Sequence, residues 1–217
     1  MRRLLLTALL LLNWWMPLAP AARAQSTPAQ VISARVGTVT RVEGEVLVRQ
    51  HGTRELQSLR VGLTLSNGDT VMTGKTGRAE WTLNPGSYLQ INSLSQVWVY
   101  ETSLNKMHFD ILRGEVFVIV SALKGGAALV LDTPPAELNV VKSGNYRVRV
   151  APDDATEALV GAGKLQLVDY QGKAITVTKG RRVRFSAPER RKNWDIDTMT
   201  PEHLRAVETG VAQRAWL

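Results

Sequence analysis

The sequence predicts an all-β fold, solenoid-like or sandwich-like and built of short strands, closed by one C-terminal α-helix. Three observations carry this: apolar and polar residues alternate with period two, glycine turns recur at short intervals, and helical periodicity is missing from the central region. The stretch LSNGDTVMTGKTGRAEWTLNPGSYLQI, residues 65–91, shows all three. Its turns are spelled by Asn67, Gly68 and Asp69, by Gly74 and Gly77, and by Asn84, Pro85 and Gly86, residues that tolerate or preset unusual backbone angles. Between them Ala79, Trp81 and Leu83 alternate with Arg78, Glu80 and Thr82, as in a strand with one buried face.

The same test applied along the chain yields strand candidates at residues 36–42, 45–50, 70–73, 78–83, 88–91, 97–100, 108–112 and 115–120. A second series follows at 128–132, 137–141, 146–150, 157–160, 164–169, 174–178 and 182–185. Several begin on glycine, as in GTVTRV at Gly37, GEVLV at Gly44, GEVFVIV at Gly114 and GKLQLV at Gly163, each glycine letting the chain turn a corner. In GEVFVIV both faces are apolar, Val116, Val118 and Val120 on one and Phe117 and Ile119 on the other, which suits a strand covered on both sides. Residues 187–199 are polar, carry Pro188 and read as a linker. Thr200, Pro201 and Glu202 then spell a helix start. Leu204, Val207, Val211 and Ala215 recur at helical spacing within the expected terminal segment 200–217, and Gly210 weakens its end.

Residues 1–24 stand apart. Arg2 and Arg3, the apolar run at 4–12 and the small residues Ala22 and Ala24 form a secretory signal with cleavage expected between Ala24 and Gln25. The run is much shorter than the 18 or so residues of a spanning helix, so no stable membrane span is expected after cleavage. Residues 25–35 read as a flexible N-terminal segment and 36–186 as one β domain. The location implied is periplasmic or secreted. There is no cysteine, which excludes disulfides and thiolate metal sites. The net charge of +8 falls to +5 when Arg2, Arg3 and Arg23 leave, and the aromatic share is only 6%, so nucleic acid is not expected as a partner.

The ordered motifs GTVTRVEGEVLV at Gly37, LSNGDTVMTGKTGRAEWTLNPGSYLQI at Leu65, ILRGEVFVIV at Ile111, DTPPAELNVVKSGNYRVRV at Asp132 and LVGAGKLQLV with TVTKGRRV resemble the FecR domain family of bacterial envelope proteins. The resemblance spans about residues 37–185 and implies an all-β extracytoplasmic sensor or binding module, of the kind known from regulators of iron citrate uptake. Those regulators place a sigma-factor-binding segment and a spanning helix before the domain. Here an export signal occupies that place, so an iron-citrate type regulator is an alternative and not the leading reading.

Chemistry-bearing residues are sparse. His51, His108 and His203 are scattered over separate elements without paired spacing and are expected at the surface, with no metal site. Asp153, Asp154 and Glu157 read as an exposed turn after Pro152, Ser87 as structural, and Asp195 with Asp197 as surface carboxylates. No catalytic residue and no cofactor are expected. One pattern points to binding: Arg147 and Arg149 alternate with Tyr146, Val148 and Val150, and Arg182 and Arg184 alternate with Val183 and Phe185. On neighbouring strands these four guanidiniums would share a face, extended by Lys179 and Arg181, suited to a protein partner or an anionic envelope polymer. The alternative in another class is an envelope glycan-processing enzyme or its accessory subunit. Trp81 and Trp98 are expected in the core, and Trp194 and Trp216 in the tail.

Overall fold

The computed structural model describes residues 37–103, 105–123 and 128–186, together with the backbone of 195–198. The described residues are strands and turns. In chain order the strands are β1 Thr38–Glu43, β2 Val46–Arg49, β3 Leu56–Ser58, β4 Thr70–Thr73, β5 Arg78–Asn84, β6 Ser87–Ile91 and β7 Gln96–Thr102. They continue as β8 Lys106–Val120, β9 Ala128–Thr133, β10 Ala136–Val150, β11 Thr156–Asp169, β12 Ala174–Thr178, β13 Arg181–Phe185 and β14 Asp195–Thr198. All belong to one hydrogen-bonded sheet, and the pairings are antiparallel except β8 with β9.

Three long strands fold that sheet over on itself. The first half of β8 pairs with β7 and β9, whereas its second half, from Val116 to Ile119, pairs with β6. β10 runs from pairing with β9 at Ala136–Val140 to pairing with β8 at Gly144–Val150. β11 passes likewise from β13 to β12. One layer is thus β1-β5-β6-β8-β10-β11-β13-β14 and the other β3-β2-β4-β7-β8-β9-β10-β11-β12. The inward rows meet in one core, where Trp81 of β5 lies 5.5 Å ring to ring from Phe109 of β8. Both are fully buried, and side chains of this size contribute about 1.5–3 kcal/mol each when removed from water.

The architecture is all-β, one open sheet folded over on itself, and the strands are not uniformly short. The candidates at 108–112 and 115–120, at 137–141 and 146–150, and at 157–160 and 164–169 merge pairwise into β8, β10 and β11. The reason is local. At Gly114 (φ +86°) and Gly163 (φ +97°) the backbone bends while pairing continues, so the strand turns a corner without ending.

Asp195–Thr198, inside the expected linker, forms β14 on the edge of β13, with Asp195 in register with Arg184 and Asp197 with Arg182. An open strand edge accepts a further strand wherever the chain returns alongside it. The expected C-terminal helix, the signal with Ala24 and Gln25, His203, Trp194 and Trp216 lie outside the described residues. Among the described residues no helix is long and apolar enough to cross a membrane.

Candidate functional site

A cleft of about 660 Å³ opens at the bend of β8. Arg78 at the start of β5, Leu94 in the β6–β7 turn, Arg113 and Glu115 flanking Gly114, Arg149 near the end of β10 and Asp154 in the following loop all line it. Gly114 is required here, because a Cβ on it would overlap the Ser95 side chain and backbone. The Ser95 amide in turn donates to Thr73 Oγ1 at 2.8 Å, and Glu115 N donates to Ser95 Oγ at 2.9 Å. Leu94 (φ +56°) and Asp154 (φ +61°) are the non-glycine residues with left-handed backbone among those described, and both line this cleft. Such strain, about 1–3 kcal/mol per residue, gathers at ligand sites.

The cleft carries an excess of positive charge. Glu115 is already engaged: Arg147 pairs with its Oε2, with Nε at 2.6 Å, and Asn92 Nδ2 donates to Oε1 at 2.6 Å. Arg78, Arg113 and Arg149 are exposed and make no ion pair among the described residues. Three guanidiniums around a cleft of this size can grip a carboxylate or phosphate bidentately.

The structure brings the four sequence-predicted arginines to one face of β10, β11 and β13. Leu159 stands between Arg147 and Arg182 in register, and Glu157 between Arg149 and Arg184. That face alternates in sign. Arg147 is tied to Glu115 and its guanidinium lies 5.9 Å from the centre of the Phe117 ring, while Arg182 Nη1 is 3.6 Å from Glu157. Arg149 alone of the four reaches the cleft. Arg78 and Arg113 escape a sequence reading because they belong to separate strands and have no local pattern.

A second constellation lies on the outer face of the other layer. His108 and Asp110 are two residues apart on β8, and the parallel β8–β9 register sets Asp110 beside Asp132. His108 Nε2 is 2.8 Å from Asp132 Oδ2 and 3.6 Å from Asp110 Oδ1. Contrary to the surface expectation, His108 is buried, at 8% exposure, its ring against Tyr100 at 4.5 Å between centroids. Burial first, and Asp132 second, push the Asp110 carboxyl above its ordinary value, with His108 opposing. The Tyr170 phenol is likewise raised, by burial and then by Asp132, Asp110 and Glu137. Histidine spacing alone does not reveal this group, which joins one histidine to two aspartates; its local signal is the strand pattern His108-Phe109-Asp110.

Other expected roles divide. Asp69 accepts N–H bonds from Ser66 at 2.8 Å and His51 at 2.9 Å, a turn carboxylate. His51 is exposed. Ser87 Oγ accepts from the Ser121 amide at 3.1 Å, and Asp153 Oδ1 from the Ala155 amide at 3.3 Å. Trp81 is in the core, but Trp98 is not: Val97 and Val99 point inward, so Trp98 is set outward with its ring edge-on to Tyr100 at 5.6 Å.

Comparison with known proteins agrees with this architecture. The family model described as FecR protein matches residues 69–166, from the turn before β4 into β11. Two crystal structures of a candidate anti-sigma factor from Parabacteroides distasonis ATCC 8503, at 2.50 and 1.65 Å resolution, superpose with a TM-score of 0.53 each, at 15% and 14% identity. The likeness covers 63% of this chain and 62% and 63% of theirs, so the chain spans less than two thirds of these relatives, and at such identity the likeness shows the fold alone. No curated protein matches the chain. The ordered glycine corners, the folded-over sheet and the match across its middle identify residues 69–166 of this chain as a match to the FecR domain.

Proposed function

We propose that the chain is an exported, non-enzymatic binding and sensing module that engages an acidic group of a protein partner or envelope polymer through the Arg78–Arg113–Arg149 cleft. The observation that carries this reading is the convergence of three arginines without ion pairs, Leu94 and Asp154 in left-handed conformation, and a cleft of ligand size at one bend of β8. The FecR domain match at residues 69–166 supports the sensing role. The sign alternation across β10, β11 and β13 favours a protein surface over a uniform polyanion, since Glu115 and Glu157 would repel the latter.

The test is crosslinking in cells with a photoreactive residue placed at Arg113, against a control at Leu56 on β3. A defined protein or glycan captured from Arg113 and lost in the Arg78→Ser/Arg149→Ser variant supports the proposal. Equal capture from both positions overturns it. The description of the two solved neighbours as anti-sigma factors favours a second reading, a regulator in a sigma-factor pathway. Capture of an outer-membrane transporter would favour that reading, and capture of glycan alone an envelope role.

A further inference from the structure

We propose that His108, Asp110 and Asp132 form a binding site for a divalent first-row transition cation of the zinc class. The site is separate from the arginine cleft and lies on the paired strands β8 and β9.

The geometry is that of three corners of a coordination shell. One atom from each side chain can be chosen so that all lie within 4.8 Å of one another. Zinc bonds of about 2.0–2.2 Å place tetrahedral ligand atoms roughly 3.3–3.6 Å apart, and the two His108 separations, 2.8 and 3.6 Å, bracket that range. Strand pairing holds the atoms there. Two ligands share one face of β8, the third comes from the adjacent parallel strand, and the Tyr100 ring packs against the imidazole in a tilted arrangement.

A second observation points to a missing ligand. Asp110 Oδ1 and Asp132 Oδ1 are both shielded from solvent and accept no hydrogen bond, and the His108 side chain is nine-tenths buried with Nδ1 unpartnered. Natural proteins satisfy buried carboxylate oxygens, and two such oxygens beside each other call for positive charge. Nε2 of His108 bonds Asp132 Oδ2 at 2.8 Å and lies 3.6 Å from Asp110 Oδ1, beyond hydrogen-bond reach, so neither Oδ1 receives a hydrogen bond from it. A divalent cation would neutralise both. One imidazole with two carboxylates suits zinc or manganese and not calcium, which takes six to eight oxygens. The fourth position falls to water or to a group from a partner.

The experiment is calorimetric titration of the untagged full chain with Zn²⁺, alongside melting curves with and without the ion. One saturable site is expected, with a higher Tm when loaded. Affinity should fall at least about tenfold in His108→Gln and in Asp132→Asn, and remain unchanged in His51→Gln. If either of those two ligand variants fails to fold, Asp110→Asn carries the test, since its Oδ1 holds no native hydrogen bond. The proposal is overturned if the wild-type chain shows no saturable Zn²⁺ site, or if binding survives Asp110→Asn undiminished.

Discussion

The hydroxyl of Tyr146 occupies the space that a side chain on Gly163 would need. It donates to the carbonyl of Lys142 and accepts from the amide of Lys164 at 3.0 Å, so one buried phenol ties the irregular stretch of β10 to the bend of β11. Gly163→Ala should therefore cost about 2–4 kcal/mol, combining a left-handed backbone with the displacement of the phenol. Tyr146→Phe should cost about 1–3 kcal/mol for the unpaired buried groups it leaves. In the double variant the losses should sum to less than their total, because the hydroxyl that clashes with Ala is gone. Urea denaturation of the three variants measures this.

Burial raises the Tyr146 phenol above its ordinary value of 10.0, while the hydrogen bond from Lys164 works the other way. In the unfolded chain the phenol ionises near pH 10, whereas the folded protein holds the proton to higher pH. Above that pH the unfolded state binds fewer protons, so stability falls with rising pH. Below about pH 10 the contribution is intact. Melting temperature followed from pH 8 to 11.5 should drop more steeply for the wild type than for Tyr146→Phe.

Arg147 and Glu115 face each other with side chains only 15% and 18% exposed. Removing one partner strands a poorly hydrated charge, so Arg147→Met should destabilise by roughly 1–3 kcal/mol. Arg147→Met/Glu115→Gln should recover part of that loss. A double-mutant cycle in urea reads the coupling, and strict additivity would contradict the pairing.

Gly114→Ala should disturb the cleft and the fold together, since the new methyl meets Ser95 at the bend of β8. The arginines rimming the same cleft behave differently. Arg78→Ser, Arg113→Ser and Arg149→Ser should each shift stability by no more than about 0.5 kcal/mol, being exposed and without ion pairs. Circular dichroism melting separates the two classes.

How far a residue's role could be read depended on the range of the interaction that sets it. Asp69 was legible as a turn carboxylate because one of its donors, the Ser66 amide, lies three residues back in the same turn, whereas its other donor, the His51 amide, lies 18 residues away and was not. The corners at Gly114 and Gly163 were legible because left-handed backbone selects glycine locally. Trp98 was misplaced since period-two alternation leaves open which of two faces is inward: QVWVY is satisfied equally with valines or aromatics inside. The arginine patch was read in part. Strand alternation put Arg147, Arg149, Arg182 and Arg184 on one face, but the carboxylates that divide it come from β8 and β11.

The all-β character and the glycine corners follow from residues a few positions apart, where backbone angle preferences and side-chain alternation act directly. The folding of one sheet into two layers, the meeting of His108 with Asp132 across 24 residues and the convergence of Arg78, Arg113 and Arg149 do not. These depend on which strands pair and in what register. Pairing is decided by burial of the whole core, with Trp81 against Phe109 at its centre, and no local stretch contains that information.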